Sequence, residues 1–293
     1  MIENDPVIYA IPIFNLLIIV EFLLHYKERT KTAELKDSLA SIAMGLGSIV
    51  INFGAKAAAL AVYYFLYQFR IFDLGWQWWV WLLLLFADDF TFYWHHRLSH
   101  QIRLLWAAHI NHHSSERYNL TTALRQSWTE ELYKYGFWCW LPLVGFSPIM
   151  IMMMISISLI YQFFLHTETV KKLGFLELFM NTPSHHRVHH ATNIQYLDRN
   201  HAGIFIIWDK IFGTFQVEEA ENKPVFGITN NIDTFNPLKI ASHEFVNLRH
   251  DVSKAPTFID KIKYVFMPPG WRHEGEISTS KYLQQKWKKE HQE

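Results

Sequence analysis

Cys139 is the only cysteine in the chain, which excludes an intrachain disulfide and any cysteine-based zinc or iron–sulfur site. In the run FWCWL it reads as a small buried hydrophobe. An excess of charge is also lacking. Lys and Arg number 27 and Asp and Glu number 27, and no basic stripe is interleaved with aromatics, so nucleic acid is excluded as a partner. The opening MIENDP has no basic segment of the kind that precedes a cleaved leader, so the apolar stretch after it is expected to stay. There is no internal repeat beyond a recurring histidine spacing, and no low-complexity linker. One domain over 1–293 is therefore expected, with membrane helices in 1–94, a histidine-rich core in 95–236 and an amphipathic C-terminal segment in 237–293.

Apolar and aromatic residues are abundant instead; aromatics make up 16% and Trp alone numbers 12. Residues 7–24 are long and apolar enough to span a bilayer. The following loop carries Lys27, Arg29, Lys31 and Lys36, which by the positive-inside rule is cytoplasmic. Residues 39–69 exceed a simple span, and Gly45, Gly47 and Gly54 suggest a tilted or broken helix. Residues 76–94 return, with Trp76, Trp78 and Trp79 as an interface belt. Residues 114–136 are polar and read as a cytosolic or interfacial helix, and 137–166 read as an apolar hairpin that dips into or crosses the membrane and returns. The expected fold is all-α: an integral membrane bundle of about four spanning or re-entrant helices under a cytosolic histidine-rich helical cap. Amphipathic segments follow residue 235, and the basic end KWKKEH reads as a solvated tail.

Residues 94–115, WHHRLSHQIRLLWAAHINHHSS, organise the rest. His96 and His100 stand four apart, and His109, His112 and His113 follow as H-x-x-H-H. The same spacing returns at His186, His189 and His190, launched by the helix-start pair Thr182-Pro183. Residues three and four apart share one helix face, so each set is expected to aim its rings at one point. From His100 to His109 the phase is wrong for one straight helix, so a bend or a helix break is expected between 101 and 108. Eight ring nitrogens exceed what one ion takes and suit two, most consistently iron, because no carboxylate falls inside the sets and a hydrolytic dizinc site usually includes one. A lipid at a membrane face and molecular oxygen are the matching substrates. Asp89, two turns before His96, reads as the partner of a ligand histidine and as a candidate catalytic residue. His185 lies off the ligand face and reads as a surface or hydrogen-bonding residue. Met150 and the Met152–Met154 run read as a deformable substrate surface or as plain lipid-facing packing.

The three ordered boxes, with YW before the first and WDKIFGTF after the third, resemble the fatty acid hydroxylase/sterol desaturase superfamily. Within it, HHSSERYNLTTALRQS, IYQFFLHTE and LGFLELFMNTPSHHRVHH are similar to the tetrahydrobiopterin-dependent alkylglycerol monooxygenase branch, which cleaves ether lipids. The resemblance implies a diiron centre held by His96, His100, His109, His112, His113, His186, His189 and His190, with His166 as a ninth ligand. It further implies a catalytic role for Asn200 and cofactor contacts at Gln101 and Glu116. Two positions depart from that branch. Gln101 stands where its members carry Glu, and His201 stands where they carry Tyr. His201 is read as a hydrogen-bond donor rather than a further ligand. Gln101 keeps open a sterol, fatty-acyl or carotenoid hydroxylase or desaturase fed by a separate electron-donor protein. A non-enzymatic metal-binding or transport protein is the alternative of another class. The catalytic face is expected on the cytoplasmic side, in a bacterial inner membrane or the endoplasmic reticulum.

Overall fold

The first helix starts at Asp5, whose side chain accepts from the Val7 amide and so caps α1 (Pro6–Leu24). In this computed structural model, residues 5–26 and 32–290 are described. Lys27, Arg29 and Lys31 of the basic loop lie outside them, as do the last three residues of the tail. Among the described residues no strand forms; two isolated antiparallel bridges, Met180 to Phe205 and Ala191 to Phe226, are the only extended pairings.

α2 (Thr32–Tyr67) is one unbroken helix of 36 residues, so its glycines do not break it. At 1.5 Å per residue it is roughly 54 Å long, well beyond a hydrocarbon core of ~30 Å. Gly47 serves packing: a Cβ there would meet the Trp128 indole at 2.5 Å, and that indole donates to the Met44 carbonyl at 2.9 Å. Among the described residues, α1 and the 34–67 part of α2 are the two helices long and apolar enough to cross a membrane, and both are largely unburied by the protein. α3 (Trp78–Gln101) shares with α2 a core of Tyr63, Val80, Leu84, Trp138, Met150 and Met154, in which both pack on the helix that carries the two methionines. Met150 and Met154 are thus core residues, facing neither lipid nor the site.

The polar stretch after the second histidine set is not the expected helix. It forms three short 3₁₀ turns, Leu120–Leu124, Glu130–Leu132 and Lys134–Trp138. Side chains direct this path. Asn119 and Thr122 close a reciprocal capping box. Arg125, almost wholly buried, donates to Asp37 at 2.9 Å and to Ser114 at 3.0 Å, fixing the loop to α2. α5 (Trp140–Val144) and α6 (Pro148–Phe163) follow, and the first arm of the expected hairpin is therefore only a short helix. α6 packs on α1 through stacked Phe14 and Phe163. The buried Glu21 carboxylate accepts from the Leu120 amide at 2.9 Å and the Thr167 hydroxyl at 2.5 Å, drawing α1 to the loop that bears His166.

The C-terminal segment is no free tail. α9 (Pro237–Lys254) and α10 (Phe258–Phe266) fold back on α4 (Arg103–His113), and α11 (Ser280–Glu290) closes beside residues 194–197. Between these lie α7 (Pro183–His189) and α8 (Ile207–Ile211).

Candidate metal centre

α3 presents His96 and His100 one turn apart, then stops at Ile102, whose extended backbone restarts the chain as α4. That break supplies the phase change required between His100 and His109. His166 follows the end of α6, and α7 carries His186 and His189, with His190 at its C-cap.

All nine rings are buried and fall into two groups. His96, His100, His109, His113 and His189 form one, His112, His166, His186 and His190 the other; within each, one nitrogen per ring lies within 4.8 Å of all the rest. The boxes therefore do not each aim at a single point. Residues four apart differ by about 40° around a helix and residues three apart by about 60° the other way. His109 pairs with His113, and His186 with His190, while His112 and His189 turn to the neighbouring group.

The protons on these rings can be placed. His96 Nδ1 lies 2.8 Å from the His201 carbonyl, His189 Nδ1 2.9 Å from the Arg199 carbonyl and His166 Nδ1 2.9 Å from the Gln162 carbonyl. His109 Nδ1 lies 3.2 Å from Glu130 Oε2, and His100 Nδ1 3.2 Å from Asp198 Oδ1. A carbonyl or carboxylate oxygen accepts, so each Nδ1 donates and each Nε2 of a neutral ring is a bare lone pair. Ring nitrogens crowd together within the groups: His96 and His109 Nε2 are 3.1 Å apart, His109 and His113 3.3 Å, His166 and His112 3.1 Å, and His166 and His186 3.1 Å. In the His96–His109 pair both atoms are bare, and lone pairs so close repel unless a cation sits between them. Two nitrogens at right angles around an ion, each at ~2.1 Å, stand about 3 Å apart, so the geometry fits metal ions.

Burial and neighbouring rings hold His112, His113, His186, His189 and His190 well below the usual histidine range, and burial brings His166 to about 4. Those six rings are thus neutral and ready to ligate at physiological pH. Glu130 is held well below the ordinary carboxylate range, against the effect of its burial, by His109, His95 and Lys134 beside it.

The family comparison bears on residues 81–214, which match the fatty acid hydroxylase model. This stretch is what the chain shares with that family. All nine rings lie inside it. The chain is 41% identical over 272 residues to the alkylglycerol monooxygenase of Homo sapiens, covering 91% of this chain and 60% of the relative. It is 37% identical over 269 residues to that of Xenopus tropicalis, again covering 91% and 60%. An ornithine lipid hydroxylase of Rhizobium tropici is 28% identical over 153 residues, covering 52% of this chain and 46% of that protein. The chain thus spans about 60% of the length of the alkylglycerol relatives. No solved structure matches.

Several residues within 81–214 lie elsewhere than expected. Asp89 contacts no ligand ring. Its carboxylate accepts from the amides of Ile204 at 2.6 Å and Phe205 at 2.9 Å and from the Trp208 indole at 3.0 Å, anchoring the loop that carries His201. Gly203 lets that loop approach, since a Cβ there would meet Asp89 Oδ1 at 2.8 Å. Asn200, with φ 55, is buried away from any open space; its amide donates to the His185 and Gln216 carbonyls and its oxygen accepts from the Gln216 amide. Gln101 ends α3 half-buried, and Glu116 is exposed beside Gly227; neither lines the cavity over the rings. His185 is buried, not on the surface, and packs on Phe215 outside both groups. His201 also stays outside both groups; its ring donates from Nε2 to the Asp198 carbonyl at 3.1 Å.

Glu130 and Asp198 are the ring partners that sequence spacing missed. Each is far in sequence from the histidine it holds, and no periodicity links them. The available signal was chemical: a cluster of neutral rings needs acceptors around it, and Glu130 is a carboxylate in the polar run after the second set. A cavity of about 440 Å³ opens over His100, His113, His189 and His190.

Proposed function

We propose that the chain is a membrane monooxygenase that uses two histidine-held iron ions to oxidise a lipid C–H bond, with the ether-adjacent carbon of an alkylglycerol as its target. The observation that carries the reading is the pair of nitrogen clusters, four and five rings, with the bare Nε2 atoms of His96 and His109 facing one another, inside the stretch that matches the fatty acid hydroxylase family. A nitrogen-only set excludes neither zinc nor copper by ligand type. The family match and the alkylglycerol relatives favour iron and oxygen chemistry.

The bound irons would supply the oxidising power to place one atom of dioxygen in the C–H bond and reduce the other to water. Two electrons and two protons complete that balance, from tetrahydrobiopterin or from a separate electron-donor protein. The product is a hemiacetal, which collapses to a fatty aldehyde and the free glycerol hydroxyl. The protein's share is positional. Glu130, Asp198 and the carbonyls of Gln162, Arg199 and His201 fix ring direction and tautomer. Burial keeps water from the rings, and the cavity over four of them admits the reactants. α1 and α2 would sit in the bilayer, and the basic loop between them supports a cytoplasmic site.

Iron-loaded protein given an alkylglycerol, oxygen and a reduced pterin should release fatty aldehyde; none at full iron occupancy rejects the assignment. The match to an ornithine lipid hydroxylase favours a second reading, in which another lipid is hydroxylated. Lipid profiles of cells with and without the protein separate the two: loss of ether-lipid cleavage supports the first, and a missing hydroxylated acyl lipid the second.

A further inference from the structure

The cavity over the rings has a wall outside residues 81–214. α9 turns one face to it, with His243, Glu244, Asn247 and Asp251 at three-and-four spacing, and Trp271 and Arg272 continue it. Arg103, at the base of this wall, is already engaged: its Nε donates to Glu244 at 2.9 Å and its guanidinium meets Asp251 at 2.7 Å. The carboxylates lining the cavity are Asp198, Glu244 and Asp251, against the guanidinium groups of Arg103 and Arg272, a formal balance of one negative charge. In the metal-free protein a phosphate would enter against that sign and find Arg103 taken.

His243 carries the opposite requirement. Its Nδ1 lies 2.8 Å from the Ile240 carbonyl, which can only accept, so Nδ1 holds the ring proton. In the neutral ring Nε2 is then an acceptor, and it is buried without a partner in the protein. A buried acceptor left unpaired is costly, and a donor brought in by a ligand removes the cost.

We infer that this cavity binds an uncharged, hydroxyl-bearing group, which donates to His243 Nε2 while seated on the α9 wall. The inference rests on the lipid monooxygenase reading, under which two reactants carry such hydroxyls: the glycerol of an ether lipid and the dihydroxyalkyl side chain of a reduced pterin. Both are tested on the full chain, chelator-treated and held in lipid nanodiscs, by tryptophan fluorescence, since Trp106 and Trp271 line the cavity. The probes are a hexadecyl glycerol ether, its phosphate ester and tetrahydrobiopterin.

Saturable binding of the neutral ether or of the pterin, weakened about tenfold by His243→Phe, supports the site, and whichever ligand loses affinity names the source. The phosphate ester should bind at least about tenfold more weakly than the neutral ether. Equal affinities for wild type and His243→Phe with both neutral ligands, or a phosphate ester bound as tightly as the ether, overturn the inference. Circular dichroism checks the fold, and His243→Asn replaces the Phe variant if that one unfolds. The assay needs no iron and no turnover, so a failure to make aldehyde leaves it intact.

Discussion

Glu130 is the side chain on which a single substitution is most informative. It meets His109 Nδ1 at 3.2 Å and stands 3.4 Å from His95 Nε2, so one carboxylate orients a ligand ring and neighbours a buried non-ligand. Glu130→Ala should lower metal affinity by about 10–100-fold, read as metal retained after dialysis against a chelator, while Glu130→Gln, which keeps an acceptor, should lose less. An unchanged metal content in Glu130→Ala would refute its role. His189→Ala and His185→Ala make the companion test: the first should lose bound metal and the second keep it, since only His189 belongs to a nitrogen group. Eight of the rings were legible because their spacing is local and repeated; His166 stands outside that spacing and was legible only through the family resemblance. The division of the two H-x-x-H-H boxes was not legible, because a shared helix face says which rings are neighbours but not where a second helix presents its own.

Elements were legible where their signals are short-ranged. Thr182-Pro183 marked the start of α7, and the phase mismatch located the break at Ile102. The polar run 114–136 was misread because its path is set by a distant partner as well as a local one: Arg125 binds Asp37, and Asn119 turns the backbone locally. Asp89 was misread for the same reason, since its three donors lie more than a hundred residues away. Removing that carboxylate leaves buried donors unpaired, so Asp89→Ala should destabilise by about 3 kcal/mol or more, measured by chemical unfolding, and Asp89→Asn by less. Equal stability of wild type and Asp89→Ala would show that this loop needs no anchor.

For the whole molecule, buried neutral rings tie folding to pH and to metal. His166 falls from the usual 6.5 to about 4 in the folded protein, as does His185. A ring held neutral by folding takes up its proton more readily in the unfolded chain, so acid favours unfolding. Metal-free protein should therefore lose melting temperature as pH falls from 6.5 towards about 4, whereas a flat profile would contradict the burial of these rings. Metal binds the folded rings preferentially, so chelation at neutral pH should lower the melting temperature, and added metal should restore it. Residues 198–201 carry a different lesson. Three rings from two helices take their bearings from this short segment, two of them from main-chain oxygens, and its path depends on left-handed turns at Asp198 and Asn200. An alanine scan of positions 199 and 201 would leave both oxygens where they are, and so pass over what steers the imidazoles. A β-branched residue at 200, which resists that turn, would swing both oxygens away without touching a ligand.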